Sequence, residues 1–176
     1  MKKTVTIGII IFFVILFGFI FISNRREEPR SPLLDETQQQ PASVSTQNQA
    51  VDKQAYFAIF TNGTFRIFTA AMYHNLSKDA YIEASNPNII KVKKDDVTWN
   101  DFFSTLPFKL TDECLTTGTG QTFCTGNGGT LRFYLNGEKK EHVLDRIIKN
   151  RDALLVTFGN ESEEAIKKQL RKVYNL

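Results

Sequence analysis

The sequence has few of the side chains that usually bind metals or carry redox chemistry. Its 176 residues include two cysteines, two histidines and two methionines. Two cysteines exclude a four-cysteine metal site and a disulfide-dense miniprotein. Phenylalanine occurs 15 times, and this abundance favours aromatic packing over metal chemistry.

An excess of charge of either sign is also absent. The 22 Lys and Arg residues stand against 19 Asp and Glu residues, so the net charge is +3. This near balance excludes a strongly basic nucleic-acid binder on composition alone, and we expect no nucleic-acid partner. The length suits one ordinary domain with appendages, and a hydrophobic share of 41% is sufficient for a packed core.

A long apolar run is present near the start of the sequence. Residues 4–23 carry no charged side chain, and a helix of about 20 apolar residues spans the hydrocarbon of a bilayer. The pattern predicts a transmembrane signal-anchor at 1–23, which contacts the lipid bilayer through residues 4–23. One alternative is a cleaved signal peptide, whose apolar stretch is normally shorter. Another is a type IV pilin start, which has an early acidic residue that this run lacks.

The side of the membrane is predicted from less direct observations. Basic residues flank the apolar run on both sides, so the charge rule for orientation gives a near tie. A long C-terminal domain often crosses the membrane regardless of flanking charge, and the paired spacing of Cys114 and Cys124 fits an oxidising compartment. We therefore expect a single-pass protein of the cell membrane with its C-terminal domain outside the cytoplasm.

Residues 24–55 differ sharply in composition from the apolar run. They are rich in proline and glutamine, and Leu33–Leu34 is the only adjacent bulky apolar pair. Such a segment buries too little surface to offset its chain entropy, so the composition predicts a disordered linker. The folded domain is then expected at 56–176.

Short strands and tight turns are the main pattern of the predicted domain. The apolar segments 56–60 and 64–68 flank Asn62-Gly63, which is the strongest short hairpin signal. A looser stretch follows as far as Tyr81. Further strands are predicted at 89–93, 108–117, 121–126, 130–137 and 153–158, with the glycines of 118–129 marking turns.

Two helices are predicted. Thr98 and Asp101 have the spacing of a capping box, and Pro107 ends the first helix. Its core-facing stripe is Trp99, Phe102, Phe103 and Leu106. The second is an amphipathic C-terminal helix at 161–174 with Asn160 as its cap, and its acidic first turn and basic last turns complement the helix dipole.

This order of elements indicates an α+β domain, with a sheet wrapped around one short helix. It resembles the β-grasp, or ubiquitin-like, fold. Residues 130–159 look particularly like the last part of sulfur-carrier proteins, and Asn136-Gly137 and Asp152 match positions of their pattern. Sulfur carriers end in Gly-Gly to form a thioester, whereas this sequence ends in Tyr-Asn-Leu, so that chemistry is not expected.

Residues 57–173 also resemble an uncharacterised family of membrane-anchored prokaryotic proteins with an extracytoplasmic β-grasp domain. The resemblance is carried by VTWNDFFSTL (97–106), Cys114, Cys124, LRFYLNG (131–137) and LLVTFG (154–159). Members often have several histidines in the strand before the helix, where this sequence has none. The resemblance therefore implies a fold and a location, but no metal site.

The cysteines and histidines each have a structural interpretation. Cys114 and Cys124 are predicted on neighbouring strands, where a disulfide is the economical interpretation. The alternatives are two free buried thiols or a redox pair, although the spacing is not Cys-x-x-Cys. His74 and His142 are interpreted as surface histidines, because a metal site needs three or four converging ligands. No metal or cofactor is expected.

Three other features have candidate functions. The glycine-rich segment 118–129 lacks the endings of phosphate-binding loops, so hairpin turns explain it. The lysines at 91–94 are followed by Asp95 and Asp96, which favours a solvated strand edge over a surface for anionic lipid or polymer. N-glycosylation sequons begin at Asn62, Asn75 and Asn160, and this modification depends on the host.

Together these observations predict a membrane-anchored, extracytoplasmic binding or assembly module without catalysis. Its partner would be a protein, an envelope polymer or a small ligand, and an exposed sheet edge would allow strand addition. The alternative is an extracytoplasmic metal-binding or redox protein, for which His74, His142, carboxylates and the cysteines would have to converge. No acid–base pair or activated nucleophile is recognisable, so an enzyme is not expected.

Overall fold

The computed structural model describes residues 51–176. The predicted signal-anchor and nearly all of the predicted linker lie outside these residues. Within them no helix is long and apolar enough to cross a membrane. The strands are β1 (Lys53–Thr61), β2 (Thr64–Phe65), β3 (Ala80–Glu83), β4 (Asn86–Val92), β5 (Lys109–Leu110), β6 (Cys114–Thr116), β7 (Thr122–Cys124), β8 (Thr130–Leu135), β9 (Glu138–Lys139) and β10 (Ala153–Gly159). The helices are a 3-10 turn (Ala71–Tyr73), α1 (Trp99–Phe103) and α2 (Glu163–Tyr174).

The fold is α+β, and its largest element is a mixed sheet in the order β3-β4-β1-β10-β8-β9, with β2 also paired to β1. The central pair, β1 and β10, is parallel, with Phe57 opposite Leu154 and Ile59 opposite Val156. The other pairings in this sheet are antiparallel. The first and last strands of the domain are therefore neighbours at its centre.

The central strands are buried on both faces, as expected for a parallel pair. One face contributes Phe57, Ile59 and Val156 to the main hydrophobic cluster. The other contributes Ala58 and Leu155 to a second cluster. Helix α2 packs over this second face against β1 and β10. The continuous apolar sequences of both strands follow from this double burial.

Helix α1 begins as its sequence predicts. The Thr98 hydroxyl accepts the backbone N–H of Asp101 at 3.0 Å, and the Asp101 carboxylate accepts the Thr98 N–H at 2.9 Å. Trp99, Phe102 and Phe103 are almost completely buried. The helix has only five residues, so its stability comes from this packing and its cap, because a helix this short is unstable alone.

The Cys114–Cys124 pair forms a disulfide, which confirms that prediction. The two residues are direct register partners on β6 and β7, which form a small antiparallel sheet in the order β5-β6-β7. Leu115 and Phe123 point from this sheet into the main cluster. The predicted glycine-rich turns separate β6 from β7 and β7 from β8.

The C-terminal helix begins two residues later than predicted, and its cap is Ser162 rather than Asn160. The Ser162 hydroxyl accepts the Ala165 N–H at 3.3 Å. Glu161, placed by the pattern in the first helical turn, instead pairs with Arg132 at 2.9 Å. The Asn160 amide donates to the carbonyl of Gly128 at 3.2 Å. These tertiary partners hold Asn160 and Glu161 outside the helix.

Several strand predictions differ from the structure; the predicted strand 108–117, for example, is divided into β5 and β6. Strand β1 begins at Lys53, three residues before the predicted start, because its polar first residues pair with β4. The predicted strand 64–68 keeps only Thr64–Phe65, since Phe68 leaves the sheet and packs on Phe57. Strand β3 lies in the stretch predicted to be irregular, where a short alternation of Ala80 and Ile82 is a weak signal.

Residues 51–176 belong to one compact unit. All members of both hydrophobic clusters, and the disulfide, belong to it. A unit with its own complete core is a domain that folds by itself, so a chain of residues 46–176 is suitable for experiments on this part of the protein.

Candidate functional site

An apolar cleft lies where the chain leaves the main sheet after β2. Asn62 and Gly63 both have positive φ, 49° and 74°, so the Asn-Gly turn predicted from sequence is confirmed. After this turn β2 pairs with β1 for two residues only, and the Arg66 N–H donates to the Ile59 carbonyl at 2.8 Å. The chain then leaves the sheet and forms one wall of the cleft.

The opposite wall comes from the segment after α1 and from the small sheet. Phe108 and Leu115 line it, followed by the turn at 117–119. A Cβ atom on Gly118 would lie 2.7 Å from the Pro107 carbonyl oxygen, so only glycine lets this turn approach so closely. The cleft has a volume of about 370 Å³, which is within the range of small-ligand sites, roughly 300–1,000 Å³.

Large apolar side chains at this cleft are exposed to solvent. The exposed fraction is 66% for Ile67 and 55% for Met72, and both line the cleft. Leu76, which follows closely in sequence, is 45% exposed but does not line it. Clustered exposed apolar side chains are typical of binding surfaces in monomeric proteins.

The inner wall of the cleft is held by aromatic packing. The Phe68 ring packs against Phe57, Tyr73 and Phe108, with centroid distances of 5.1, 5.2 and 5.8 Å. The ring nitrogen Nε2 of His74 is 2.8 Å from the Phe68 carbonyl oxygen. These contacts keep the wall in place without a ligand, so the cleft is largely pre-formed.

Among residues 51–176, Arg66 is the one charged residue that lines the cleft. Its Nε donates to the Thr61 hydroxyl at 2.7 Å, and its guanidinium carbon lies 5.3 Å from the centre of the Phe123 ring. Within residues 51–176 no carboxylate forms an ion pair with Arg66, in contrast to Arg132, which pairs with Glu161. The cleft therefore combines apolar walls with a fixed positive charge.

The two histidines lie in different environments. His74 is half-buried and contacts the Phe68 backbone, as described above. His142 is exposed, and its Nδ1 lies 2.8 Å from an Asp112 carboxylate oxygen. Across the described part of the chain, no group of three or more His, Cys, Asp or Glu side chains has a metal-binding arrangement. The structure does not bring these residues together with the disulfide.

A second depression contains Asp79, Asp95, Asp96 and Asp101 with Lys94. Ion pairs and a helix cap within the domain involve most of these charged groups. Lys94 lies 3.5 Å from Asp79, and Asp95 pairs with Lys53 at 2.6 Å. The backbone N–H and hydroxyl of Thr98 donate to the Asp101 carboxylate and hold its pKa below the usual value. Three of these four carboxylates are therefore occupied by a lysine or by the helix cap.

Two of the lysines predicted to lie at a solvated strand edge, Lys93 and Lys94, form ion pairs. Lys93 contacts Asp52 at 2.8 Å. This hydrogen bond lowers the pKa of the Asp52 carboxyl and raises the pKa of the Lys93 ammonium. Both groups are well exposed, so their contribution to stability is small.

The three sequon asparagines are all exposed. Asn62 and Asn75 have positive φ, 49° and 55°, which turns require. Asn160 fixes the end of β10 through its bond to Gly128. Each asparagine therefore has a structural role, and glycosylation stays a prediction.

The residues of the cleft were not identified as a site from the sequence. Arg66 lies inside an apolar pentapeptide that reads as a strand, and Ile67 and Met72 read as ordinary apolar positions. The sequence signal available for this site was a single cationic residue between aromatic residues, and such a pattern is a weak indication of a binding site. No protein-family model, curated protein or solved structure matches this chain.

Proposed function

We propose that this protein is a single-pass, membrane-anchored binding or assembly module, displayed outside the cytoplasm and without catalytic activity. The apolar run 4–23 would anchor it. The predicted linker, shortened to residues 24–52 because β1 begins at Lys53, would connect the anchor to the domain. A disulfide between Cys114 and Cys124 supports an extracytoplasmic location, because such bonds are rare in reducing compartments.

We also propose that the domain is β-grasp-like. Its first and last strands are the parallel central pair, and each has an antiparallel neighbour on its outer side, β4 beside β1 and β8 beside β10. Helix α1 lies between β4 and β8 in the chain. This order supports the fold predicted from the sequence pattern. The small disulfide-linked sheet and helix α2 would then be additions to that core.

The observation that carries the binding function is the pre-formed apolar cleft with exposed Ile67 and Met72. Leaving these side chains in water costs free energy in proportion to their apolar area, about 25 cal/mol per Å². A ligand that covers them recovers that energy without rearranging the aromatic wall. The cleft is therefore the strongest candidate site within the described residues.

The chemistry of the cleft favours binding over catalysis. The part of its lining that residues 51–176 provide contains hydroxyl groups and Arg66, but no carboxylate, imidazole or thiol. General acid–base and nucleophilic mechanisms normally depend on such groups in hydrogen-bonding reach of one another. This lining supports a non-catalytic role for the cleft.

The test is an NMR titration of ¹⁵N-labelled residues 46–176, with the disulfide intact, using 1-octanol as an uncharged probe. We expect saturable shifts confined to amides around Phe65, Met72 and Leu115. The double variant Ile67→Ser/Met72→Ser should weaken binding at least fivefold. Leu76→Ser, an exposed apolar residue outside the cleft, should not. Shifts scattered over the surface, or no saturation, would overturn the proposal.

A further inference from the structure

We infer that the cleft binds a small amphiphilic carboxylate, with an aliphatic chain along its apolar walls and the carboxylate on Arg66. This inference rests on the proposed binding function and specifies its ligand class. The geometry of Arg66, the charges around the cleft, the hydrogen bonding of its walls and its size each support it.

Arg66 is oriented before any ligand arrives. Its Nε is fixed by the hydrogen bond to Thr61 at 2.7 Å, and the guanidinium plane lies near the Phe123 ring. The two terminal NH₂ groups make no hydrogen bond within residues 51–176. A guanidinium held by its Nε presents its outer edge, and two parallel N–H groups on that edge match the two oxygens of a carboxylate.

The charges near the cleft favour an anion. Within residues 51–176 no Asp or Glu lines it, and Arg66 supplies its positive charge. A carboxylate bound at Arg66 would therefore be attracted by the guanidinium and would meet no carboxylate of the lining.

The walls suit an aliphatic chain better than a peptide. A peptide backbone has N–H and C=O groups that need partners when they are buried. The hydroxyl of Thr117, on the polar side of the cleft, already bonds with Thr119 and with the backbone of Gln121. The remaining lining is mainly aromatic and aliphatic. A hydrocarbon chain has no polar groups that need hydrogen-bond partners from these walls.

The size of the cleft limits the chain length. Its volume of about 370 Å³ lies near the lower end of the range for small-ligand sites, roughly 300–1,000 Å³. We therefore expect a short aliphatic chain, of the length of octanoate, rather than a long-chain lipid.

The experiment compares octanoate, 1-octanol and octylamine in NMR titrations of residues 46–176. These probes share one chain length and differ in head-group charge. We expect octanoate to bind about tenfold more tightly than octanol, because an ionised partner strengthens the hydrogen bonds of the guanidinium, and octylamine to bind most weakly. From hexanoate to octanoate, affinity should rise about fourfold per added methylene.

Two variants test the role of Arg66. Arg66→Gln should reduce octanoate affinity about tenfold, so that octanoate no longer binds more tightly than octanol. Arg146→Gln is the matched control, because Arg146 is exposed and lies outside the cleft. It should change neither affinity. An unchanged amide spectrum away from the cleft would show that both variants are folded.

The outcomes separate the two proposals. If octanol binds in the cleft as tightly as octanoate, the binding function stands and the carboxylate inference is wrong. If no probe binds there, the binding function itself is wrong. If the peptide acid N-acetyl-Leu-Leu binds more tightly than octanoate, the ligand is a peptide terminus and the aliphatic class is overturned. The comparison of octanoate, 1-octanol and octylamine uses the unmodified domain, so it tests the carboxylate inference even if Arg66→Gln fails to fold.

Discussion

The side chains of Asn136 and Asp152 connect the end of β8 to the start of β10. The Asn136 amide donates to the Asp152 carboxylate at 2.9 Å, and its oxygen accepts the Ala153 N–H at 2.9 Å. The other carboxylate oxygen of Asp152 accepts the Lys149 N–H at 2.9 Å. One asparagine and one buried aspartate thus fix the path of the chain into the central parallel pair.

Removing the Asn136 side chain is expected to destabilise the domain by about 1–3 kcal/mol, because it leaves one oxygen of the buried Asp152 carboxylate and the Ala153 N–H without their partner. Asn136→Gly is the appropriate change, since the residue has a φ of 54° that glycine adopts without strain. Asn62→Gly is the matched control, with φ of 49° and an exposed side chain, and should have little effect. Urea unfolding measures both. Equal losses for the two variants would contradict this role for Asn136.

The disulfide is expected to stabilise the domain by about 2–3 kcal/mol. It joins residues separated by ten positions, and the loop-entropy relation gives a value of this size. The double variant Cys114→Ser/Cys124→Ser should lower the free energy of unfolding by that amount in urea titrations.

The same variant tests whether the small sheet supports the cleft. Leu115, between the two bonded strands, lines the cleft and is buried in the main cluster. Loosening β6 from β7 should therefore weaken octanol binding as well as stability. If stability falls and binding is unchanged, the disulfide contributes to folding but not to the site.

The elements predicted most accurately are those whose signals are local. The Asn62-Gly63 turn, the Thr98–Asp101 capping box and the apolar strand 153–158 each have a short, specific sequence pattern, and the structure contains all three. Strand β3 has no such pattern, because only Ala80 and Ile82 alternate toward the core. Its position depends on pairing with β4 instead.

The cleft was beyond sequence-based prediction because its walls come from separate parts of the chain. Phe65 and Met72 are brought opposite Phe108 and Leu115 only when the small sheet packs beside the main one. Ile67 has the same apolar identity as a core residue, and nothing in its neighbours shows that it is 66% exposed. Exposure of this kind depends on tertiary packing.

The capping box at α1 should make a pH-dependent contribution to the stability of the domain. Hydrogen bonds from Thr98 to the Asp101 carboxylate lower its pKa in the folded state. Because the pKa of Asp101 is lower in the folded state, its ionised carboxylate contributes its full stabilisation at pH values above the pKa of an unfolded aspartate, about 3.9. This stabilisation is lost as the pH falls through the folded-state pKa. Asp101→Ala should therefore destabilise the domain by about 1 kcal/mol at pH 7, and by less at pH 3.

The control for this measurement is Asp145→Ala. Asp145 is an exposed aspartate that forms no ion pair within residues 51–176, so its removal should have little effect at either pH. Chemical unfolding of the unmodified domain and of each variant, at pH 7 and at pH 3, gives the loss of stability that each substitution causes. A penalty for Asp101→Ala that stays constant between pH 7 and pH 3 would mean that the ionised carboxylate is not the stabilising group.

The extracytoplasmic location is tested with the full chain expressed in a bacterium and converted to spheroplasts. External protease should cut the proposed disordered linker and release a folded fragment close to residues 46–176, with its disulfide intact by mass spectrometry. A cytoplasmic marker protein must stay uncut, which shows that the spheroplasts are sealed. Protection of the full chain until detergent is added would place the domain in the cytoplasm. Release without protease would instead identify residues 4–23 as a cleaved signal peptide.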